Sequence, residues 1–350
     1  MKTNLSAFTE RKGLPVNLTS WARGLLSCVA GSALLMCGVA LAARPPAVEP
    51  GRIFFNLNGQ VMVANSDASN QRVLFAATEE ALDVSALAHN NGYWFLDVRE
   101  VPGEPSYPGP FGRAEIFAVH ESGVQVRLTA DPALEPIHGG GYSRARWLVG
   151  DTQVAFLAQV WDLNTMTVVP DSAGIYVMDI DFSSGLPVVL TPPEHLAWTS
   201  SMFGPVYSTL YGYDFSPDGS TIYFADGSDL YSADTATGTQ TAALATDFNY
   251  PRLFAATGTL IGCRQYSSIK TVRTDGSGLT PIIPPSTKGW GAFPIWSPGG
   301  KYIAYMAVTI INEWRRQREV IIATAAGQKI GTLGTKTTGT ALPLGWRPLP

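Results

Sequence analysis

The amino-acid sequence predicts an all-β protein built from six four-stranded antiparallel sheets. Short stretches rich in β-branched and aromatic residues alternate with turns containing Gly, Pro and Asp along residues 51–348, and such stretches favour extended strands. Two segments repeat one pattern of strand, tight turn and strand. The two ends of this region each carry an incomplete copy of the pattern, and together the two parts make one whole unit.

The clearest repeat consists of residues 214–224 and 295–305. In the first segment Asp-Phe-Ser-Pro-Asp-Gly precedes Thr221, and in the second Ile-Trp-Ser-Pro-Gly-Gly precedes Tyr302 with one residue between. Pro fixes φ for a turn, Asp caps backbone N–H groups and Gly takes a positive φ. Each segment therefore predicts two antiparallel strands joined by a tight turn. A third short strand and a fourth apolar stretch, near Leu244 and Leu333, follow them.

Weaker copies near residues 84, 145 and 252 bring the number of four-stranded units to five. The sixth unit is divided between the ends, because the stretch 51–75 offers a second, third and fourth strand and the stretch 344–348 offers a first strand. We expect the strand around Trp346 to pair with the strand around Ile53. The chain would then close into a six-bladed β-propeller over residues 51–350 and leave no long edge strand exposed.

The repeat, with its aromatic-Ser-Pro-Asp/Gly-Gly turn, an Ile-x-Tyr/Phe strand and a downstream Leu-Thr, resembles those of the TolB-like six-bladed propeller family. Two copies match it closely, whereas the others keep only parts of the repeat and have residues 89–92 or 148–151 in place of the Ser-Pro-Asp-Gly turn. The resemblance covers about residues 51–348. It implies a propeller fold and leaves the function open, because such propellers serve many roles.

The N-terminus has the composition of an export signal. Lys2, Arg11, Lys12 and Arg23 precede an uncharged stretch that ends in Ala-Leu-Ala at residues 40–42, and this order of basic, apolar and small residues is typical of secretory signals. We therefore expect a signal peptide at 1–42, a linker at 43–50 and a periplasmic or secreted protein. The alternative is an uncleaved anchor that holds the protein at the inner membrane, facing the periplasm.

Net charge narrows the classes of partner that the protein can bind, and the cysteine count excludes an intramolecular disulfide. Removing residues 1–42 takes away four basic residues and one acid, so the net charge moves from -4 to -7. An acidic protein is poorly suited to nucleic acid or to an anionic membrane surface, so we expect membrane contact only through an uncleaved N-terminal segment. Cys263 is the single cysteine that remains, and no intramolecular disulfide can form. We expect a monomer without a cofactor.

The candidate binding surface is one end of the predicted sheets. Long insertions at 98–112, 158–173 and 308–318 connect second and third strands, and these connections share an end with the linkers between sheets, near 138–142, 192–210 and 284–292. Aromatic residues favour a binding surface when they are exposed, although they also pack loops against each other. The aromatic residues of these segments are Tyr107, Phe111, Trp161, Trp198, Trp290 and Trp314.

Polar residues of the same segments add less specific candidates. His138 and His195 fall on this end and would converge if both face a central channel, but four histidines in all are too few for a spacing-based metal motif. A surface position is the simpler interpretation. Arg315, with Arg316 and Arg318, stands beside Trp314 as either a solvated loop or a contact for an acidic partner. Residues 179–185 indicate a turn better than a calcium loop.

These patterns favour a binding module over an enzyme. The sequence contains no Gly-x-Ser-x-Gly elbow, which argues against a serine peptidase, and Cys263 lies within a predicted strand. We expect a protein or peptide partner in the cell envelope. The alternatives are a propeller enzyme acting on a carbohydrate, such as a metal-dependent lyase with His138 or His195 near the metal, and a propeller that only binds sugar.

Overall fold

The structure is a computed structural model. All the residues that it describes belong to the second of two compact units, Pro45–Pro350, so the predicted signal segment 1–42 lies outside them. Within the described part of the chain, no helix is long and apolar enough to cross a bilayer. The described residues are 48–76, 83–87, 92–100, 114–129, 143–148, 150–158, 161–162, 165, 167–168, 174–191, 194–195, 210–226, 229–241, 243–244, 252–256, 260–265, 268–284 and 288–349.

The regular elements of the described residues are β-strands. In chain order these strands are β1 (Arg52–Leu57), β2 (Gln60–Asn65), β3 (Arg72–Ala76), β4 (Asp83–Leu87), β5 (Tyr93–Glu100), β6 (Ala114–His120), β7 (Gln125–Arg127), β8 (Ser143–Trp147), β9 (Gln153–Ala158), β10 (Trp161–Asp162), β11 (Thr167–Val168), β12 (Gly174–Asp181), β13 (Val188–Val189), β14 (Glu194–His195), β15 (Leu210–Phe215), β16 (Thr221–Asp226), β17 (Asp229–Asp234), β18 (Arg252–Ala256), β19 (Leu260–Gln265), β20 (Ser268–Arg273), β21 (Thr280–Ile283), β22 (Gly289–Trp296), β23 (Tyr302–Ile310), β24 (Arg316–Thr324), β25 (Lys329–Thr337) and β26 (Ala341–Arg347).

The strands are arranged in antiparallel sheets, which we number by their order along the chain. Sheet 1 has the order β26-β1-β2-β3, sheet 2 β4-β5-β6-β7, and sheet 3 β8-β9-β12-β13 with β14 also paired to β12. Sheet 4 has the order β15-β16-β17, sheet 5 β18-β19-β20-β21, and sheet 6 β22-β23-β24-β25. A separate ribbon, β10-β11, lies between the second and third strands of sheet 3 in the chain. The protein is therefore all-β.

The C-terminal strand completes the N-terminal sheet, as the sequence predicted. Ile53 pairs with Trp346 and Phe54 with Gly345. The pairing also explains Gly51, because a Cβ atom there would lie 2.7 Å from the carbonyl oxygen of Arg347. The last strand of the chain is thus held by the first, and neither leaves an unpaired edge on that side.

Each sheet is apolar on both faces, because it packs between two others. In β1, Ile53 and Phe55 pack against sheet 6, whereas Phe54 between them packs against sheet 2. Buried clusters of this kind join sheets 2 and 3, 3 and 4, 4 and 5, 5 and 6, 6 and 1, and 1 and 2. Every sheet therefore shares one core with the sheet before it and another with the sheet after it.

The first strand of every sheet pairs irregularly with the second. All six pairings, which involve β26, β4, β8, β15, β18 and β22, contain a register shift. In β22 the shift spans Phe293, whose φ of 52° is in the left-handed region. Bulges bend a strand and increase its twist. A deviation at the same place in six sheets is thus part of the repeat.

Two expectations from the sequence are wrong in detail. No described residue near Leu244 belongs to a fourth strand. Gln240 forms an isolated bridge to Ala233, and the backbone N–H of Leu244 donates to the carbonyl of Leu230 at 2.7 Å. The stretches 284–292 and 308–318 are not loops throughout, since β22 starts at Gly289 and β23 and β24 reach Ile310 and Arg316.

Candidate functional site

The connection between β23 and β24 is a short, hydrogen-bonded turn. Ile310 and Arg316 form the last pair of the ladder. The side-chain oxygen of Asn312 accepts hydrogen bonds from the backbone N–H groups of Trp314 and Arg315 at 3.0 and 2.8 Å. The backbone N–H of Ile311 donates to the carbonyl of Arg315 at 2.9 Å. We call residues 310–316 the hairpin tip; its backbone is organised before any partner arrives.

The hairpin tip exposes apolar side chains. Trp314 has 92% of its surface accessible, Ile311 49% and Ile310 40%. Pairing with β22 ends at Thr309 and pairing with β25 ends at Arg318. The tip therefore projects past both neighbouring strands of sheet 6, and the fold gains no stability from burying Trp314.

The three arginines beside Trp314 have different surroundings. Arg318 donates from Nη1 to the carbonyl oxygens of Thr338 and Gly339 at 2.8 and 2.9 Å, and so holds the linker between β25 and β26. The guanidinium of Arg316 lies 5.2 Å from the ring centroid of Trp290, in a cation–π contact. Arg315 is exposed and forms no ion pair with a described residue.

Trp290 connects the hairpin tip to the core. It pairs with Val308 in the ladder, is partly buried and packs against a cluster that includes Ala292 and Met306. Its ring thus has a packing role as well as its contact with Arg316. Of the predicted aromatic residues whose side chains are described, Trp290 is mainly structural, and Trp314 is presented to solvent.

Comparison with solved structures places this architecture among known folds. A protein assigned as TolB from Agrobacterium tumefaciens is similar at a TM-score of 0.50 and 15% sequence identity, over 87% of this chain and 99% of that chain. The fold is that of a TolB-like β-propeller. No protein-family model matches the sequence, and no curated protein matches it.

Two further solved structures are more distant. Puromycin hydrolase has a TM-score of 0.47 and 17% identity, over 80% of this chain and 43% of that chain. An oligogalacturonate lyase in complex with manganese has a TM-score of 0.39 and 10% identity, over 73% of each chain. Similarities at this level carry no conclusion about fold or activity.

The other predicted site residues of the propeller are only partly described. The backbone of Trp161 pairs with Val168 in the β10-β11 ribbon, and that of His195 pairs with Tyr176 at the outer side of β12. Four more predicted residues lie outside the described ranges, and these are Tyr107, Phe111, His138 and Trp198. The predicted convergence of His138 and His195 stays a prediction.

No group of three metal-ligating side chains occurs among the described residues. His120, the histidine whose side chain is described, packs its ring 4.9 Å from that of Trp94 and places Nδ1 2.7 Å from the hydroxyl of Ser122. Residues 179–181 end β12, and residues 182–187 form the expected turn between β12 and β13. There Asp181 accepts a hydrogen bond from the backbone N–H of Ser183 at 2.9 Å.

Sequence reasoning missed a buried charged cluster in sheet 2. The carboxylate of Glu115 lies 3.0 Å from the guanidinium of Arg127, and that of Asp97 lies 3.3 Å from that of Arg99; both acids are buried. Arg99 also stacks 4.1 Å from the ring centroid of Phe117. Buried carboxylates require such partners. The available clue was a single charged residue inside each of two apolar stretches, Glu115 in 115–119 and Arg127 in 126–129.

Another ion pair joins sheets 3 and 4. The guanidinium of Arg146 on β8 lies 3.3 Å from the carboxylate of Asp214 on β15, and 5.9 Å from the ring centroid of Tyr213. Both charged residues are on first strands. This pair adds a polar contact to the apolar core shared by sheets 3 and 4.

Proposed function

We propose that this chain is an exported six-bladed propeller that binds a protein or peptide through one end of its sheets. The six shared cores support the ring, since each lies between two sheets that follow one another and the sixth joins sheet 6 to sheet 1. Closing the ring removes the edges that separate sheets would expose.

In such a ring the connections between second and third strands share one end with the linkers between sheets. The hairpin tip belongs to this end. One observation carries the binding function. An ordered turn holds Trp314 with 92% of its surface accessible, where its side chain does not stabilise the fold. Trp and Arg are the residues most enriched among those that dominate protein interfaces. Trp314 and Arg315 are therefore the described residues that we assign to the interface, whereas Trp290 supports the tip from the core.

Export is the second part of the proposal. The basic residues and the uncharged stretch within 1–42 direct the chain out of the cytoplasm. The partner is then a protein of the periplasm or of the surroundings of the cell. If the segment is not cleaved, the propeller acts at the inner membrane.

The experiment is chemical crosslinking of the full chain in cell-envelope extract. We expect a defined adduct with the wild-type protein and its loss with Trp314→Ala. The matched control is Val124→Ala, which changes an exposed apolar residue in the turn between β6 and β7, at the opposite end of the strands. Repeated crosslinking without any adduct, or an adduct that both variants keep, contradicts the proposal.

A further inference from the structure

We infer that the hairpin tip recognises an acidic peptide segment that carries an apolar side chain. This inference rests on the proposed function and adds the chemistry of the partner. It follows from the charge of the tip, from the arrangement of its arginines and from its shape.

The hairpin tip is basic, although the protein is acidic. Arg315, Arg316 and Lys288 are exposed at this end of sheet 6, and the one carboxylate within the tip is Glu313. Lys288 is adjacent to the tip, because its carbonyl accepts a hydrogen bond from the backbone N–H of Ile310 at 2.8 Å. The formal net charge of the chain is -4. A basic spot on an acidic protein attracts carboxylates and suppresses basic partners.

Two guanidinium groups remain available to a ligand. Arg318 is engaged by backbone carbonyls of the linker. Arg316 lies over the ring of Trp290, and this contact limits its rotamers. The N–H groups of a guanidinium lie in its own plane, so they can still donate to a ligand. Arg315 follows Trp314 directly. A guanidinium matches the fork of a carboxylate in a bidentate hydrogen bond, so Arg315 and Arg316 each suit an Asp or Glu of the partner.

The shape of the hairpin tip favours an extended segment. The tip projects past β22 and β25. A flexible peptide can wrap around such a projection and order itself on binding. Trp314 and Ile311 then supply apolar surface for one leucine-like side chain, between the contacts that the arginines make.

A lipid surface fits the hairpin tip less well. Glu313 lies next to Trp314, so inserting the indole into a bilayer would bring a carboxylate to the headgroups. The acidic remainder of the chain would also be repelled by anionic lipid. Vesicle binding is accordingly an outcome that would overturn the inference.

The test uses the full chain and synthetic probe peptides followed by fluorescence anisotropy. The probe is a short peptide of alternating glutamate, glycine and leucine. Two comparison peptides replace its glutamates with lysine or its leucines with serine. We expect saturable, salt-sensitive binding of the probe alone, weakened about tenfold by Trp314→Ala and by the Arg315→Glu/Arg316→Glu pair. Lys301→Glu, an exposed charge in the turn between β22 and β23 at the other end of sheet 6, should leave binding unchanged.

Several results overturn the inference. These are no saturable binding of the acidic probe, equal binding of the lysine peptide, unchanged binding by the double arginine variant, and Trp314-dependent binding to vesicles of phosphatidylglycerol and phosphatidylcholine in place of the peptide. Crosslinking separates this inference from the proposed function. A Trp314-dependent partner whose contacting segment is not acidic would leave the binding function standing and reject the inference.

Discussion

The carboxylate of Glu49 accepts a hydrogen bond from the hydroxyl of Ser297 at 2.8 Å, across 248 positions of the sequence. Ser297 begins the Ser-Pro-Gly-Gly turn of sheet 6, where Gly299 stands in the place of Asp218 in the Ser-Pro-Asp-Gly turn of sheet 4. In sheet 4 the hydroxyl of Ser216 donates to Asp218 at 2.5 Å. Glu49 thus supplies from the N-terminal segment the carboxylate that the turn of sheet 6 lacks.

Exchanging these carboxylates tests that equivalence. Glu49→Ala should lower the free energy of unfolding by about 1 kcal/mol, because the buried hydroxyl of Ser297 loses a charged acceptor. A Cβ atom at position 299 would lie 2.6 Å from Oε1 of Glu49, and Glu49→Ala removes this conflict. Gly299→Asp in the Glu49→Ala background should therefore restore stability in urea unfolding. If Gly299→Ala restores it equally, the carboxylate is not the cause.

Asp218 should make a contribution to folding stability that is lost at acid pH. Hydrogen bonds, first from the side chain of Ser216 and then from the backbone and side chain of Ser220, lower the pKa of Asp218 from 3.8 to about 2. Since the pKa is lower in the folded state, the contribution is complete above 3.8 and is lost as the pH falls through about 2. The stability difference between wild type and Asp218→Asn should shrink over that range. A difference that is constant with pH contradicts the assignment.

Tyr305 should make a contribution to folding stability that is lost at alkaline pH. Burial, and then the charge of Glu319, raise the pKa of Tyr305 from 10.0 to about 12. Between these values the unfolded chain loses this proton and the folded chain keeps it, so stability falls as the pH rises. Tyr305→Phe should reduce that loss in unfolding experiments and remove one late-titrating phenol from the absorbance titration. An unchanged titration curve would be inconsistent with this pKa.

Trp346 should be essential to the closing strand. It is buried in the core shared by sheets 6 and 1, and its ring stacks 6.3 Å from that of Tyr302. Trp346→Ala should destabilise the protein by about 3–5 kcal/mol, because it leaves a cavity at this junction. Trp314→Ala is the matched control and should change stability by less than about 0.5 kcal/mol. Similar melting temperatures for the two variants would contradict a closing role.

The strand content was predictable from the sequence because its causes are local. The Ser-Pro turns at 216 and 297 and the alternation of apolar residues specify hairpins whatever surrounds them. The apolar run of β1 was read correctly as a strand. The sequence did not reveal which neighbour each residue contacts, since Ile53 packs against sheet 6, far along the chain, and Phe54 beside it packs against sheet 2.

The candidate site was predictable to a similar extent. Composition singled out Trp314 and Arg315, because an aromatic and a cluster of cations stand in a segment between strands. Composition could not tell Arg318, which binds linker carbonyls, from Arg315, which is exposed. The ion pair of the buried Glu115 with Arg127 was missed for the same reason, since burial depends on what packs above a strand.

By itself the sequence determined the repeat, its turns and the strand that joins the two ends of the chain, because these follow from short-range backbone preferences and a period of two. The tertiary structure alone decided that Glu49 completes a turn of sheet 6, and which arginines of the hairpin tip are engaged. Such contacts depend on distances between residues far apart along the chain, and only the packing of the sheets sets those distances.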